Sequence, residues 1–112
     1  MQGAWLRPGT HLDLIGAFTP AMRESDDACF QGTRVFVDTE EAALKAGDLI
    51  EPMRSGVFKA SDVQATLAQL CRQEKPGRRS PDEVTIFKSV GNALEDLAAG
   101  ELVHAQLHAA KR

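Results

Sequence analysis

Two stretches of this chain carry the residue types and spacing of a ligand-holding junction at the end of a strand. They are His11-Leu12-Asp13-Leu14-Ile15-Gly16-Ala17-Phe18-Thr19-Pro20 and Val84-Thr85-Ile86-Phe87-Lys88-Ser89-Val90-Gly91-Asn92-Ala93-Leu94-Glu95-Asp96-Leu97. In each, a short apolar run gives way to a glycine or a small hydroxyl residue. That leaves backbone N–H groups free at the carboxyl end of a strand, where open α/β sheets bind their ligands. Such a junction can grip a planar amide or an anion through those N–H groups and a helix N-terminus. A dinucleotide pyrophosphate requires more, because its backbone cradle is built from closely spaced glycines. None of the nine glycines lies two residues from another, so the chain contains no G-x-G. The expectation is part of a nucleotide site, belonging either to a larger enzyme or to an incomplete cofactor pocket.

The other chemically able side chains are expected to play structural parts. His104 and His108 lie four apart on an expected helix, with Glu101 one turn earlier. Without an H-E-x-x-H pattern or a third His or Cys nearby, they predict a solvent-facing pair rather than a metal site. His11 follows Pro8-Gly9-Thr10 and is expected to be a hydrogen-bonded structural histidine, not a proton shuttle. Asp38, at the end of a strand, is expected to cap the next helix rather than touch a ribose. Arg23, Glu24, Asp26 and Asp27 are expected to form a solvated first helical turn rather than a charge relay. Cys29 and Cys71 have no C-x-x-C or metal-ligand spacing and predict buried, reduced thiols. No catalytic residue, nucleophile or metal ligand is assigned.

The elements that must position the two junctions alternate along the chain. Leu12-Asp13-Leu14-Ile15 predicts a buried strand stopping at Gly16. A polar helix is expected from about Arg23 to Gln31, closing at Gly32. Arg34-Val35-Phe36-Val37-Asp38 lacks polar alternation and predicts a strand covered on both faces. A helix from Thr39 through Leu44 should weaken or end at Gly47, and a second, capped by Ser61 or Asp62, should align Val63, Leu67, Leu70 and Cys71. The polar Lys75–Pro81 loop, holding the chain's only cationic cluster, leads into a third strand, Val84–Phe87. A last helix is expected over 92–110. The order β-α-β-α-α-β-α predicts parallel pairing through crossover helices, in a small sheet whose two edges need covering or a second chain.

Composition bounds the function classes. The chain has 112 residues, 43% hydrophobic and 26% charged, enough for one small globular domain over 1–112. A net charge of −3 gives no basic stripe and argues against nucleic acid as a partner. No stretch is long and apolar enough to span a bilayer and no secretory leader is visible, so a cytoplasmic location is expected.

Four ordered motifs also carry a family resemblance. Pro8-Gly9-Thr10-His11-Leu12, Ile15-Gly16-Ala17-Phe18-Thr19-Pro20-Ala21-Met22-Arg23-Glu24-Ser25-Asp26-Asp27, Val35-Phe36-Val37-Asp38-Thr39 and Phe87-Lys88-Ser89-Val90-Gly91 with Ala93-Leu94-Glu95-Asp96-Leu97 resemble the ornithine cyclodeaminase/mu-crystallin family. The resemblance implies a partial Rossmann-like three-layer α/β fold, the C-terminal half of an NAD(P)-binding domain. Its last helix would return toward a separate substrate-binding and dimerising domain. It further implies that Gly16, Ala17 and Phe18 flank the nicotinamide, and that Ser89 and Val90 contact the nicotinamide amide or a substrate carboxylate.

The same resemblance separates two activities. In cyclodeaminases of this family the first loop is similar to Gly-Gly-Asp-Cys-Pro-Gly-Lys, whose aspartate is the proposed general base. Phe18 stands in that aspartate's place and Met22 in the lysine's. A phenyl ring accepts no proton, which disfavours ornithine cyclodeamination. The Phe-Thr-Pro-x-Met-Arg-Glu form resembles reductases of cyclic imino acids, which use NADPH or NADH to convert Δ1-pyrroline-2-carboxylate to proline. The expected assembly is a homodimer acting on a small imino or amino acid, with the cofactor not held by this chain alone. A non-catalytic remnant and a crystallin-type ligand-binding role stand as alternatives.

Overall fold

The computed structural model of the chain describes residues 1–109. Four short strands, β1 (His11–Leu14), β2 (Arg34–Val37), β3 (Val63–Thr66) and β4 (Thr85–Lys88), form one sheet in the order β1-β4-β2-β3. All three pairings are parallel. The sheet therefore has one strand more than expected, and its edges are β1 and β3. Parallel pairing needs crossovers, and these carry α1 (Ala42–Lys45), α2 (Gly47–Arg54) and α3 (Leu67–Cys71). Helix α4 (Ala93–Ala109) follows β4, and residue 110 of the expected last helix lies outside the described residues.

The core lies on one face of the sheet. Leu12 and Leu14 of β1, Val35 and Val37 of β2 and Ile86 of β4 point into it, against Cys29, Phe30, Ala42, Leu49 and Phe58. Phe30 and Phe58 meet at a ring-centroid distance of 5.6 Å. The period of two that turns Leu12 and Leu14 inward turns His11 and Asp13 outward. β2 is buried at all four positions, as a run without polar alternation predicts. On its second face Arg34 reaches the carbonyl of Pro76 and lies over the Phe36 ring.

Four local expectations are corrected. The segment expected to be helical over 23–31 holds only a 3-10 turn, Asp27–Phe30, because Asp26 accepts the amides of both Cys29 and Gly3 and fixes an irregular approach. Gly47 starts α2 rather than ending a helix, since the chain turns extended at Ala46 and then resumes. Val63 is not part of an α3 stripe: 63–66 pairs with β2, and the helix begins only after Thr66. Thr66 and Gln69 cap it reciprocally, at 3.3 and 3.0 Å, in the T-x-x-Q arrangement of a capping box. Cys29 is buried, and burial pushes its thiol up to about 11, but Cys71 is exposed.

Candidate functional site

A parallel sheet puts every carboxyl end on the same edge, and the order β1-β4 makes the two expected junctions neighbours. The Ser89 amide donates to the Leu14 carbonyl at 3.0 Å, extending the β1–β4 ladder one residue beyond the strands. Gly16, Ala17 and Phe18 thus leave the sheet beside Ser89 and Val90. The five residues singled out in sequence are brought together at one edge. Phe18 is 56% exposed and Ile15 69%, so this edge carries apolar surface open to a ligand.

Each junction is held by a carboxylate from a neighbouring segment. Glu24 Oε2 accepts the Ala17 amide at 3.0 Å, and a Cβ added to Gly16 would lie 2.8 Å from Glu24 Oε1. The close approach that Gly16 allows is therefore to this side chain. Glu24 Oε2 also lies 2.9 Å from Lys88 Nζ, and Lys88, the last residue of β4, is fully buried. Asp48, also fully buried, completes the trio with Oδ2 at 3.2 Å from Lys88 Nζ. Its other oxygen, Oδ1, accepts the amides of Glu24 and Ser25 and the Ser25 hydroxyl. Partial burial pushes the Glu24 carboxyl up, but the Lys88 ammonium and the Ala17 and Gly16 amides outweigh it, and the net shift is downward.

Asp38 performs the matching task for the second junction. Its Oδ2 accepts the Ser89 hydroxyl and the Val90 and Gly91 amides, at 2.9, 2.9 and 2.8 Å. Oδ1 accepts the Thr39 amide at 2.8 Å. Asp38 is therefore not the cap of α1, whose N-cap position is Glu41; its carboxylate, only 5% exposed, holds the second junction instead. Gly91 closes this turn at φ +79°, a conformation that glycine takes without strain.

The other residues weighed in sequence lie elsewhere. His11 Nδ1 is 2.8 Å from the Thr85 hydroxyl, which also accepts from Arg78 Nη2 at 2.9 Å. These residues line a cleft of about 280 Å³ with Phe36, Leu70 and Phe87, on the sheet face away from the core. The rings of His104 and His108 meet at a centroid distance of 4.1 Å, tilted by 53°, on the exposed surface of α4. Among the described residues no group of three His, Cys, Asp or Glu could hold a metal. Arg23 and Asp27 form an exposed ion pair at 2.6 Å, whereas Glu24 and Asp26 turn inward, so the expected solvated turn is only half correct.

Sequence reasoning missed the Glu24–Lys88–Asp48 trio. One signal was present: with Ile86 inward, the period of two puts Lys88 on the core face as well, where a lysine demands a carboxylate partner.

A parallel sheet with paired junctions at its carboxyl edge places the chain in the class of Rossmann-like α/β folds. Within that class the chain belongs to the ornithine cyclodeaminase/mu-crystallin family, whose family model matches residues 1–111. A Δ1-pyrroline-2-carboxylate reductase of Paracoccus denitrificans is 48% identical over 96 residues, a match covering 85% of this chain and 30% of that protein. The Thermococcus litoralis Δ1-pyrroline-2-carboxylate reductase, solved with NADH and L-proline, superposes with a TM-score of 0.85 at 37% identity, covering 91% of this chain and 32% of the other. An archaeal alanine dehydrogenase dimer with bound NAD also superposes with a TM-score of 0.85, at 31% identity, over 100% of this chain and 35% of that one. The chain thus spans about a third of the length of the relatives it matches.

Proposed function

We propose that this chain forms the nicotinamide-side wall of an NAD(P)H-dependent reductase of cyclic imino acids, converting Δ1-pyrroline-2-carboxylate to proline. One observation carries the reading. At the carboxyl edge, Phe18 occupies the exposed loop position, and the nearby carboxylates Glu24, Asp38 and Asp48 are engaged in internal hydrogen bonds. These three carboxylates hold the two junctions in place, and the loop position where cyclodeamination would need its aspartate carries the phenyl ring of Phe18, which accepts no proton. Hydride transfer needs no base: the substrate would react as its iminium, the ring-nitrogen proton taken from solvent, while the protein would orient the cofactor's reactive carbon against the C=N carbon and the cofactor would supply the hydride. In this reading Gly16, Ala17 and Phe18 flank the nicotinamide. The Ser89 and Val90 junction faces its amide or the substrate carboxylate.

The remaining parts of the site, including the phosphate cradle, belong to a segment with the glycine loop this chain lacks. Helix α4 has no buried residue, while Leu94, Leu97, Leu102, Val103 and Leu107 are exposed. It is read as returning to a substrate-binding and dimerising domain, and the assembly as a homodimer, the archaeal alanine dehydrogenase having been solved as a dimer. Two free cysteines suit a reducing, cytoplasmic setting. Among the described residues no helix is long and apolar enough to cross a membrane.

The test is calorimetric titration of the chain with NADPH and with NADH, followed by an assay of cofactor oxidation with Δ1-pyrroline-2-carboxylate. The expected result is imine-dependent oxidation by a preparation that also contains the glycine-loop segment, with no ammonia released from ornithine. Ammonia release from ornithine would overturn the reading in favour of cyclodeamination. Absence of both cofactor binding and turnover would favour a non-catalytic remnant.

A further inference from the structure

The Glu24–Lys88–Asp48 trio is more than a buried ion cluster. A lysine taken wholly out of water is expensive, and replacing buried ion pairs by apolar side chains is often neutral or stabilising. Stability alone therefore does not explain a charged residue at the inward position after Ile86. Its geometry does have a consequence. Lys88 is the residue immediately before the Ser89 junction, and Glu24 Oε2 is shared between Lys88 Nζ at 2.9 Å and the Ala17 amide at 3.0 Å. One carboxylate oxygen thus ties the first junction to the last residue of the strand carrying the second. Asp48 holds the other end of the device, accepting the Glu24 amide at 2.9 Å while it faces Lys88.

We propose that Glu24 is a positioning residue, which fixes the Gly16-Ala17-Phe18 loop relative to the Ser89–Val90 junction by binding the Ala17 amide and Lys88 with the same oxygen. The functional half of this inference rests on the imine-reductase reading; the structural half does not. Glu24 touches no reacting atom. It sets the distance between the loop read as flanking the nicotinamide and the junction read as facing its amide or the substrate carboxylate, and small misplacements of bound reactants lower rates steeply. Gly16 belongs to the same device, since any larger residue would meet the Glu24 carboxylate.

Two variants separate positioning from general stability. Glu24→Met removes the acceptor while leaving Lys88 paired with Asp48. Glu24→Gln offers one oxygen that can replace Oε2 and accept from both donors. Amide hydrogen exchange on the 112-residue chain reads the loop directly. The Ala17 amide is expected to exchange about 10-fold faster or more in Glu24→Met and to regain most of its protection in Glu24→Gln. The core amide of Ile86 should be unchanged in both.

In the preparation that reduces the imine, kcat is expected to fall about 10-fold or more in Glu24→Met, with the imine KM unchanged and kcat largely restored in Glu24→Gln. Unchanged Ala17 exchange in Glu24→Met, or Ala17 and Ile86 accelerating together, would overturn the proposal. So would full kcat in a variant whose loop has loosened. If the unsubstituted protein reduces no cyclic imine, the imine-reductase reading fails, and the exchange measurement still decides whether Glu24 holds the loop.

Discussion

Asp38 and Glu24 show how much one carboxylate can organise when its oxygens are shared. Asp38 gathers the Ser89 hydroxyl and the Val90, Gly91 and Thr39 amides, and it is only 5% exposed. Asp38→Ala leaves those donors unsatisfied and is expected to destabilise the fold by about 2 to 3 kcal/mol, read from urea unfolding. A loss below about 0.5 kcal/mol would mean that water replaces the carboxylate freely.

Glu24 predicts a pH dependence. Its folded carboxyl titrates below the ordinary value of 4.5, so its stabilising contribution is complete above that value and is lost as pH falls through the lower folded one. Asp26, lowered chiefly by the Gly3 amide, Asp27, by the Ser55 hydroxyl, and Glu83, by the Arg79 amide, act in the same direction. The urea midpoint should therefore fall as pH drops below 4.5, and less steeply in Glu24→Gln. Identical acid limbs in the two proteins would remove Glu24 from this account.

Among the elements, α2 shows how a loop can be seated on a helix. Its first residue, Gly47, donates its amide to the Thr19 carbonyl at 3.0 Å. A Cβ there would lie 2.3 Å from the Met22 carbonyl oxygen and 2.6 Å from that of Pro20. Glycine to alanine in a helix ordinarily stabilises by roughly 0.5 to 1 kcal/mol. Here the obstructing atoms are backbone and cannot swing aside, so Gly47→Ala is expected to destabilise by about 1 to 3 kcal/mol. The denaturation midpoint checks the sign: a stabilised variant would show that the 18–22 loop moves without penalty. The consequence reaches the site, because this is the loop that carries Phe18. The helix-breaking reputation of glycine made Gly47 look like a terminus, whereas the close approach of a second chain segment is what requires it.

At the scale of the whole molecule, α4 stands outside the buried core of the sheet body. The chain measures 56 Å along its longest axis and 26 Å along its shortest, and no residue of the 17-residue α4 is buried. Leu97→Lys combined with Leu102→Lys is therefore expected to shift the unfolding free energy of the sheet body by no more than about 0.5 kcal/mol. A larger loss in urea unfolding would show that α4 packs onto something in solution. Leu94, Leu97, Leu102, Val103 and Leu107 of α4 lie exposed, in a chain that spans about a third of the length of the relatives it matches.

By itself the sequence determined the parallel α/β class, the strands β1, β2 and β4, the long last helix and the five junction residues. These are carried by local patterns: apolar runs, a glycine or serine at the strand end, and helical periodicity. The family too was legible, because four motifs in order are a one-dimensional signal. Only the tertiary structure decided that 63–66 is a strand, since four residues can satisfy either period until a neighbour offers its hydrogen bonds. Only the tertiary structure decided that Gly47 opens a helix and that Glu24, Lys88 and Asp48 meet. Lys88 lies 64 residues from Glu24 in sequence. A buried charge can be tolerated only where the fold delivers its partner, and that delivery depends on which strands lie side by side rather than on any local pattern.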